Sequence, residues 1–218
     1  MKRSYKQNCA LAHAMDVVGE RWTLLIVREL LVTPRRYGEL LNNLSGIGTN
    51  LLADRLKELE AAELISKEDS RYQLTENGRQ LESVVNDLVR FGLSLGIEDT
   101  DERLTRPEWD VVALRAIYDE DKGRNLLGRY VLVLNGEPFR IEKGDSVRQP
   151  LTITGGDSPE YTARVSLTKP AARRLADGRL DVNAAISSGA MEVQGSTREA
   201  KRLLSSFGML PRYAFVDA

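Results

Sequence analysis

Apolar positions recur at helical spacing through the first hundred residues and then give way to alternation. Leu11, Met15 and Val18 line one face of a first helical segment, which Gly19 ends. Trp22, Leu25, Ile26, Glu29 and Leu30 carry a second, stopped by Thr33-Pro34 because proline disfavours helix at the residue before it. Leu40, Leu41 and Leu44 mark a short third helix ending near Ser45-Gly46. The spacing predicts a fourth from Thr49, a good N-cap residue, to about Ala62. Two strand candidates follow, Leu64–Lys67 and Arg71–Leu74, around the polar tip Glu68-Asp69-Ser70. Thr75 then caps a long helix reaching about Gly96.

The charged stretch Ile97–Arg103, followed by Pro107, separates this half from a second with a different texture. Trp109, Val112, Ala113, Ala116 and Ile117 fit one helical face. Tyr130–Leu134 then reads as a strand, and Asn135-Gly136 is the dipeptide a two-residue hairpin turn prefers. Phe139–Lys143, Val147–Thr154 and Tyr161–Thr168 are further strand candidates, with a short one at Met191–Gln194. Helices are expected at Lys169–Ala176, Val182–Ser187 and Ser196–Phe207. The expected fold class is α+β: a helical N-terminal domain (1–98), a linker (99–106), and an antiparallel sheet with helices gathered on one side (107–218).

With 218 residues, 42% of them apolar and 29% charged, the composition is that of a soluble globular protein. The longest aliphatic runs, such as Leu24–Val27, are far shorter than a membrane span, so the expected location is cytoplasmic with no membrane partner. A single cysteine and a single histidine exclude an internal disulfide and a Cys/His zinc cage, and no metal or cofactor is expected. The net charge of −1 hides a gradient: up to Lys57 nine bases face five acids, whereas from Glu58 to Asp99 ten acids face four bases. A local basic surface near the N-terminus could meet a phosphate backbone; the bland alternative is a mixed solvated surface.

Short helices joined by tight turns and followed by a hairpin outline a winged helix-turn-helix. At 100° per residue, Leu52, Leu56 and Leu59 share the buried arc of the fourth helix, and Asn50, Ala53, Asp54 and Lys57 lie opposite. A small, polar outer face is what the major groove admits. Asn50 has the groups to pair with adenine, Asp54 to accept from cytosine and Ala53 to touch a thymine methyl. Lys57, Arg35 and Arg36 would hold phosphates, and Arg71 would enter a minor groove or touch backbone. Thr49 joins this set at the helix start. An ordinary solvated helix face would show the same spacing.

The runs Asn8-Cys9-Ala10, Gly19–Ile26, Arg28-Glu29-Leu30, Pro34–Leu40, Gly46–Leu52, Arg55–Glu60 and Tyr72–Gly78 together resemble the HxlR-type transcriptional regulators. The resemblance covers about residues 5–97 and implies a winged helix-turn-helix, a homodimer and a palindromic operator. Ala10 departs from the proline that many members carry after the cysteine. Leu81, Val84/Val85, Leu88, Phe91/Gly92 and Leu95 recur at steps of three and four, a seam that could meet a second copy or the chain's own domain. Cys9 shares a helix face with His13; it is either an oxidant- or electrophile-sensing thiol, as in some HxlR-like regulators, or a small residue packed at the dimer surface.

The order of the strands, Gly178, Ala184–Ile186, Ser188-Gly189, Met191–Gly195 and a closing helix with Leu203, Leu204 and Phe207 is similar to sterol-carrier-type domains. That resemblance implies an apolar tunnel and an apolar or lipid effector. No nucleophilic triad, phosphate loop or carboxylate pair is present, so no catalytic residue is expected. Two functions compete: a regulator acting on double-stranded DNA, and a lipid or acyl carrier with a degenerate DNA-binding domain. The retention of Arg35, Arg36, Asn50 and Arg71 favours the first.

Overall fold

Helix α1 (Ala10–Val18) closes at Gly19, whose amide donates to the Met15 carbonyl at 2.9 Å; a Cβ there would meet that same carbonyl oxygen at 2.5 Å. The computed structural model describes residues 4–95, 106–144 and 151–209. It divides into two units, Met1–Arg103 and Leu104–Ala218. The expected linker, 99–106, lies outside the described residues apart from Arg106.

In the first unit α1 is followed by α2 (Thr23–Val32), β1 (Arg35–Arg36), α3 (Tyr37–Asn43) and α4 (Thr49–Ala61). The hairpin β2 (Ile65–Glu68) and β3 (Arg71–Leu74) comes next, then α5 (Glu76–Arg79) and α6 (Leu81–Ser94). Strand β3 is central in the small sheet, paired antiparallel to β2 and to β1. Strand β1, just before the third helix, is too short to leave an alternating pattern in the sequence. Ile26, Val27, Leu30, Leu40, Leu52, Leu56, Leu59 and Val85 form the apolar interior, each leucine worth about 1.5–3 kcal/mol when fully buried. The first helix departs from expectation: Ala12 is its buried residue, whereas Leu11 and Met15 face solvent. Its amphipathic stripe therefore points outward.

Two polar devices fix the geometry. Glu29 is fully buried; Arg28 pairs with it at 2.7 Å and the Asn43 amide donates to it at 2.8 Å, tying α2 to the end of α3. Thr75 accepts from Gly78 N and donates to the Glu63 carbonyl, so the wing and α5 share one hydroxyl. Gly78 admits no side chain, because a Cβ would lie 1.9 Å from the Leu64 carbonyl oxygen. The expected single helix after Thr75 is broken at Gln80 into α5 and α6.

The second unit contains α7 (Pro107–Ile117), β4 (Gly128–Leu134), β5 (Glu137–Lys143), β6 (Thr152–Gly155), β7 (Ala163–Leu167), α8 (Lys169–Ala176), α9 (Val182–Ser187), β8 (Met191–Gly195) and α10 (Thr197–Ser206). Its sheet order is β6-β5-β4-β7-β8. The pairs are antiparallel except β4 with β7, which run parallel with Leu132 opposite Val165. The expected antiparallel sheet thus carries one parallel pair, which needs a crossover, and local periodicity carries no record of which strands end side by side. Tyr130, Leu132, Phe139, Ile141, Val165, Leu203 and Phe207 lie in its core. Asn135 and Gly136 both take positive φ, 51° and 85°, as the turn requires, and Asn135 Oδ1 accepts from the Lys169 amide to fix the start of α8. Helix α7 buries Val111 and Leu114 beyond the single face expected.

Candidate nucleic-acid interface

Helices α3 and α4 are joined by a five-residue turn, Leu44–Gly48, in which Ile47 is buried and its amide donates to the Leu44 carbonyl. The N-cap of α4 is Gly48, without a side-chain cap; Thr49 is instead the first helical residue, one place beyond its expected role. Across the turn the Tyr37 hydroxyl donates to the Thr49 carbonyl at 2.8 Å, joining the first turns of the two helices.

Leu52, Leu56 and Leu59 are buried, while Thr49, Asn50, Asp54 and Lys57 are exposed and Ala53 is half-exposed. The two arcs of α4 thus separate as the spacing requires. Arg55, between them, is held by Glu20 at 2.9 Å and Glu58 at 2.6 Å, which ties α4 to the loop before α2. That loop includes Trp22 at φ 81°, a left-handed conformation that a bulky residue adopts only under constraint. Its ring lies beside Gly46 in the α3–α4 turn and carries the Arg21 guanidinium at 5.1 Å.

The arginines lie on the small sheet, Arg35 and Arg36 on β1 just before α3 and Arg71 at the start of β3. Arg36 faces Arg71 across β1 and β3, and Arg35 faces Tyr72. Arg36 is exposed; Arg35 is half-buried, with its Nε shut off from solvent. Arg71 begins β3 and turns back, its Nη1 donating to the Pro34 carbonyl at 3.2 Å and lying 3.5 Å from Glu39. The tip itself is Asp69 and Ser70, both left-handed. Glu39 also accepts the Arg36 amide at 2.5 Å, and this hydrogen bond, with the charges of Arg71, Arg35 and Arg36, holds its carboxyl below the ordinary carboxylate value. Sequence reasoning passed over Glu39, Tyr37 and Arg55. Only Glu39 left a signal, an acid three residues beyond the helix cap.

Along α6, Val85 is buried within its own unit, where the helix packs on α2. Leu81 is half-buried, and Val84, Leu88, Phe91 and Leu95 are 42%, 48%, 60% and 69% exposed. Leu11 on α1 is 70% exposed, so apolar surface is concentrated on these two helices. Cys9 is exposed at the N-cap of α1. Among the described residues no helix is long and apolar enough to cross a membrane.

A helix-turn-helix with a polar outer face on its second helix, flanked by a β-hairpin, defines a winged helix-turn-helix DNA-binding protein. Residues 17–99 match the HxlR-like helix-turn-helix family. The chain is 38% identical over 113 residues to the HTH-type transcriptional regulator Rv3095 of Mycobacterium tuberculosis, a stretch covering 49% of this chain and 66%, just under two thirds, of that protein. It is 33% identical over 82 residues to the HTH-type transcriptional regulator YodB of Bacillus subtilis, covering 34% of this chain and 73% of YodB. A solved structure of quinone-bound YodB aligns with 38% of this chain and 96% of its own, at 32% identity and a TM-score of 0.37. The chain belongs to the HxlR-like helix-turn-helix family of transcriptional regulators.

Proposed function

We propose that the protein is a homodimeric, sequence-specific regulator that places α4 of each protomer in successive major grooves of a palindromic operator. The observation that carries this reading is the division of α4 into buried leucines and an exposed face of Asn50, Ala53, Asp54 and Lys57, with Thr49 at its start. In this reading Asn50, Ala53 and Asp54 meet base edges, and Lys57, Arg35, Arg36 and Arg71 meet phosphates. The second copy covers Leu88, Phe91 and Leu95 on α6, with Leu81 at its margin and Val85 supporting the helix from within. Two half-sites one helical turn apart require two recognition helices, which is the physical reason for a dimer.

The second unit is read as the receptor of an apolar or lipid effector. The order that carried its resemblance to sterol-carrier-type domains, strands, helices, a last strand and a closing helix, supports this. Effector and DNA couple when they favour different arrangements of the dimer. Cys9 is a second input, supported by its exposure: oxidation or addition at its thiol would alter operator affinity. Selection of genomic fragments bound by the full chain, repeated after delipidation and after peroxide treatment, tests all three. Enrichment of one inverted repeat is expected. Recovery of random fragments alone refutes the sequence-specific reading.

A further inference from the structure

Glu68 stands opposite Arg71 across the hairpin, but it is Glu39 that bonds within the cluster of Arg35, Arg36 and Arg71, and it does so in two different ways. Its carboxylate receives the Arg36 backbone amide, the half of a capping box that starts α3. It also pairs with the Arg71 side chain at 3.5 Å, and both side chains of that pair are more than 40% exposed. The first bond is local and structural. The second is a long surface ion pair of the kind that contributes little and yields to a competing anion.

We infer that Glu39 is a phosphate-competing latch: it steadies Arg71 before DNA arrives, is displaced from that arginine by a backbone phosphate, and so sets the strength of sequence-independent binding. The inference rests on the reading of Arg36 and Arg71 as phosphate contacts. A phosphate at the cluster takes over Arg71 and meets an uncompensated carboxylate a few ångströms away. The carboxylate repels every duplex to a similar extent, whatever its sequence, because phosphates carry no sequence information. Binding therefore leans more on the base contacts of α4 than the arginine count alone would give.

Glu39→Gln separates the two roles, because glutamine keeps an oxygen for the Arg36 amide and removes the charge. The full chain is titrated onto a fluorescent random-sequence duplex by anisotropy, across salt from about 50 to 200 mM, the range over which phosphate contacts are resolved. Glu39→Gln is expected to bind about threefold tighter per protomer at low salt, from one unit charge removed about 6 Å from a phosphate in a watery setting. The log–log salt slope should steepen by about 0.9 per arginine released. Glu39→Asp, which keeps the charge, should follow the parent slope and controls for altered packing at the cap. Arg36→Gln and Arg71→Gln are run in parallel and should flatten the slope. Unchanged or weaker binding by Glu39→Gln, while the arginine variants do flatten it, overturns the latch and leaves the phosphate contacts standing. No change of slope in any of these variants overturns both.

Discussion

Removing the Asn43 amide should be costly out of proportion to its size, because its partner cannot be rehydrated. Glu29 is fully buried, and Asn43 Nδ2 supplies a hydrogen bond at 2.8 Å from the far end of α3. A hydrogen bond to a charged group contributes about 1.5–3 kcal/mol, and a buried acceptor left short of a donor adds its desolvation cost. Asn43→Ala should therefore destabilise the first unit by about 2–3 kcal/mol, since the Arg28 pair at 2.7 Å persists. The two tryptophans fall one in each unit, so a Trp109→Phe background leaves Trp22 as the sole indole, reporting the first. Urea unfolding followed by that fluorescence should show a midpoint lowered by about 1 M or more at an unchanged slope. A cycle with Glu29→Gln should give a coupling of at least about 1 kcal/mol, as expected for residues in one buried network. A loss under about 0.5 kcal/mol, or no coupling, would show that the carboxylate does not depend on α3, and the account of how α2 and α3 are locked would fail.

Other outcomes follow from the same geometry. Phe91→Glu, on the exposed stripe of α6, should weaken dimerisation by about 2 kcal/mol or more if Phe91 is an interface anchor; light scattering should show monomer at concentrations where the parent is dimeric. Tyr37→Phe removes the hydroxyl that donates to the Thr49 carbonyl; it should cost about 1 kcal/mol of stability and, in competition binding, lower the ratio of operator to random-duplex affinity by loosening the start of α4. Tyr130 is buried, and this together with its hydrogen bond to Glu199 raises its hydroxyl pKa well above the ordinary 10.0. Its contribution is complete below pH 10.0 and is lost as pH rises from there through the folded value, so the second unit should weaken in strong alkali, and Tyr130→Phe should flatten that decline in a melting profile.

The elements that could be read in advance were those whose burial follows a local period. Leu52, Leu56 and Leu59 mark the inside of α4 because three- and four-residue steps alone place them there, and Asn135-Gly136 marks its turn because few other dipeptides accept two positive φ angles. Helix α1 misled for the same reason. An apolar stripe shows that a face must be covered, not by what, and Leu11 and Met15 are left outside their own unit. The parallel pairing of β4 with β7 and the β1 strand before α3 depend on segments far apart in the chain. The contacts of Arg71 with Pro34 and Glu39, more than thirty residues away, have no local signal either. The polar face of α4 was legible; of Glu39 only its place three residues beyond the cap of α3 was, because its pairing with Arg71 joins segments far apart in the chain.

The central claim is that the outer face of α4 reads bases. Its most direct measurement is a comparison of full-chain binding to the selected operator and to all of its single-base-pair variants, for the parent and for Asn50→Ala. Loss of discrimination at one base pair per half-site, worth about 1–3 kcal/mol, with the salt slope unchanged, is the predicted result. Uniformly weaker binding at every variant with discrimination intact, or no change at all, would contradict it.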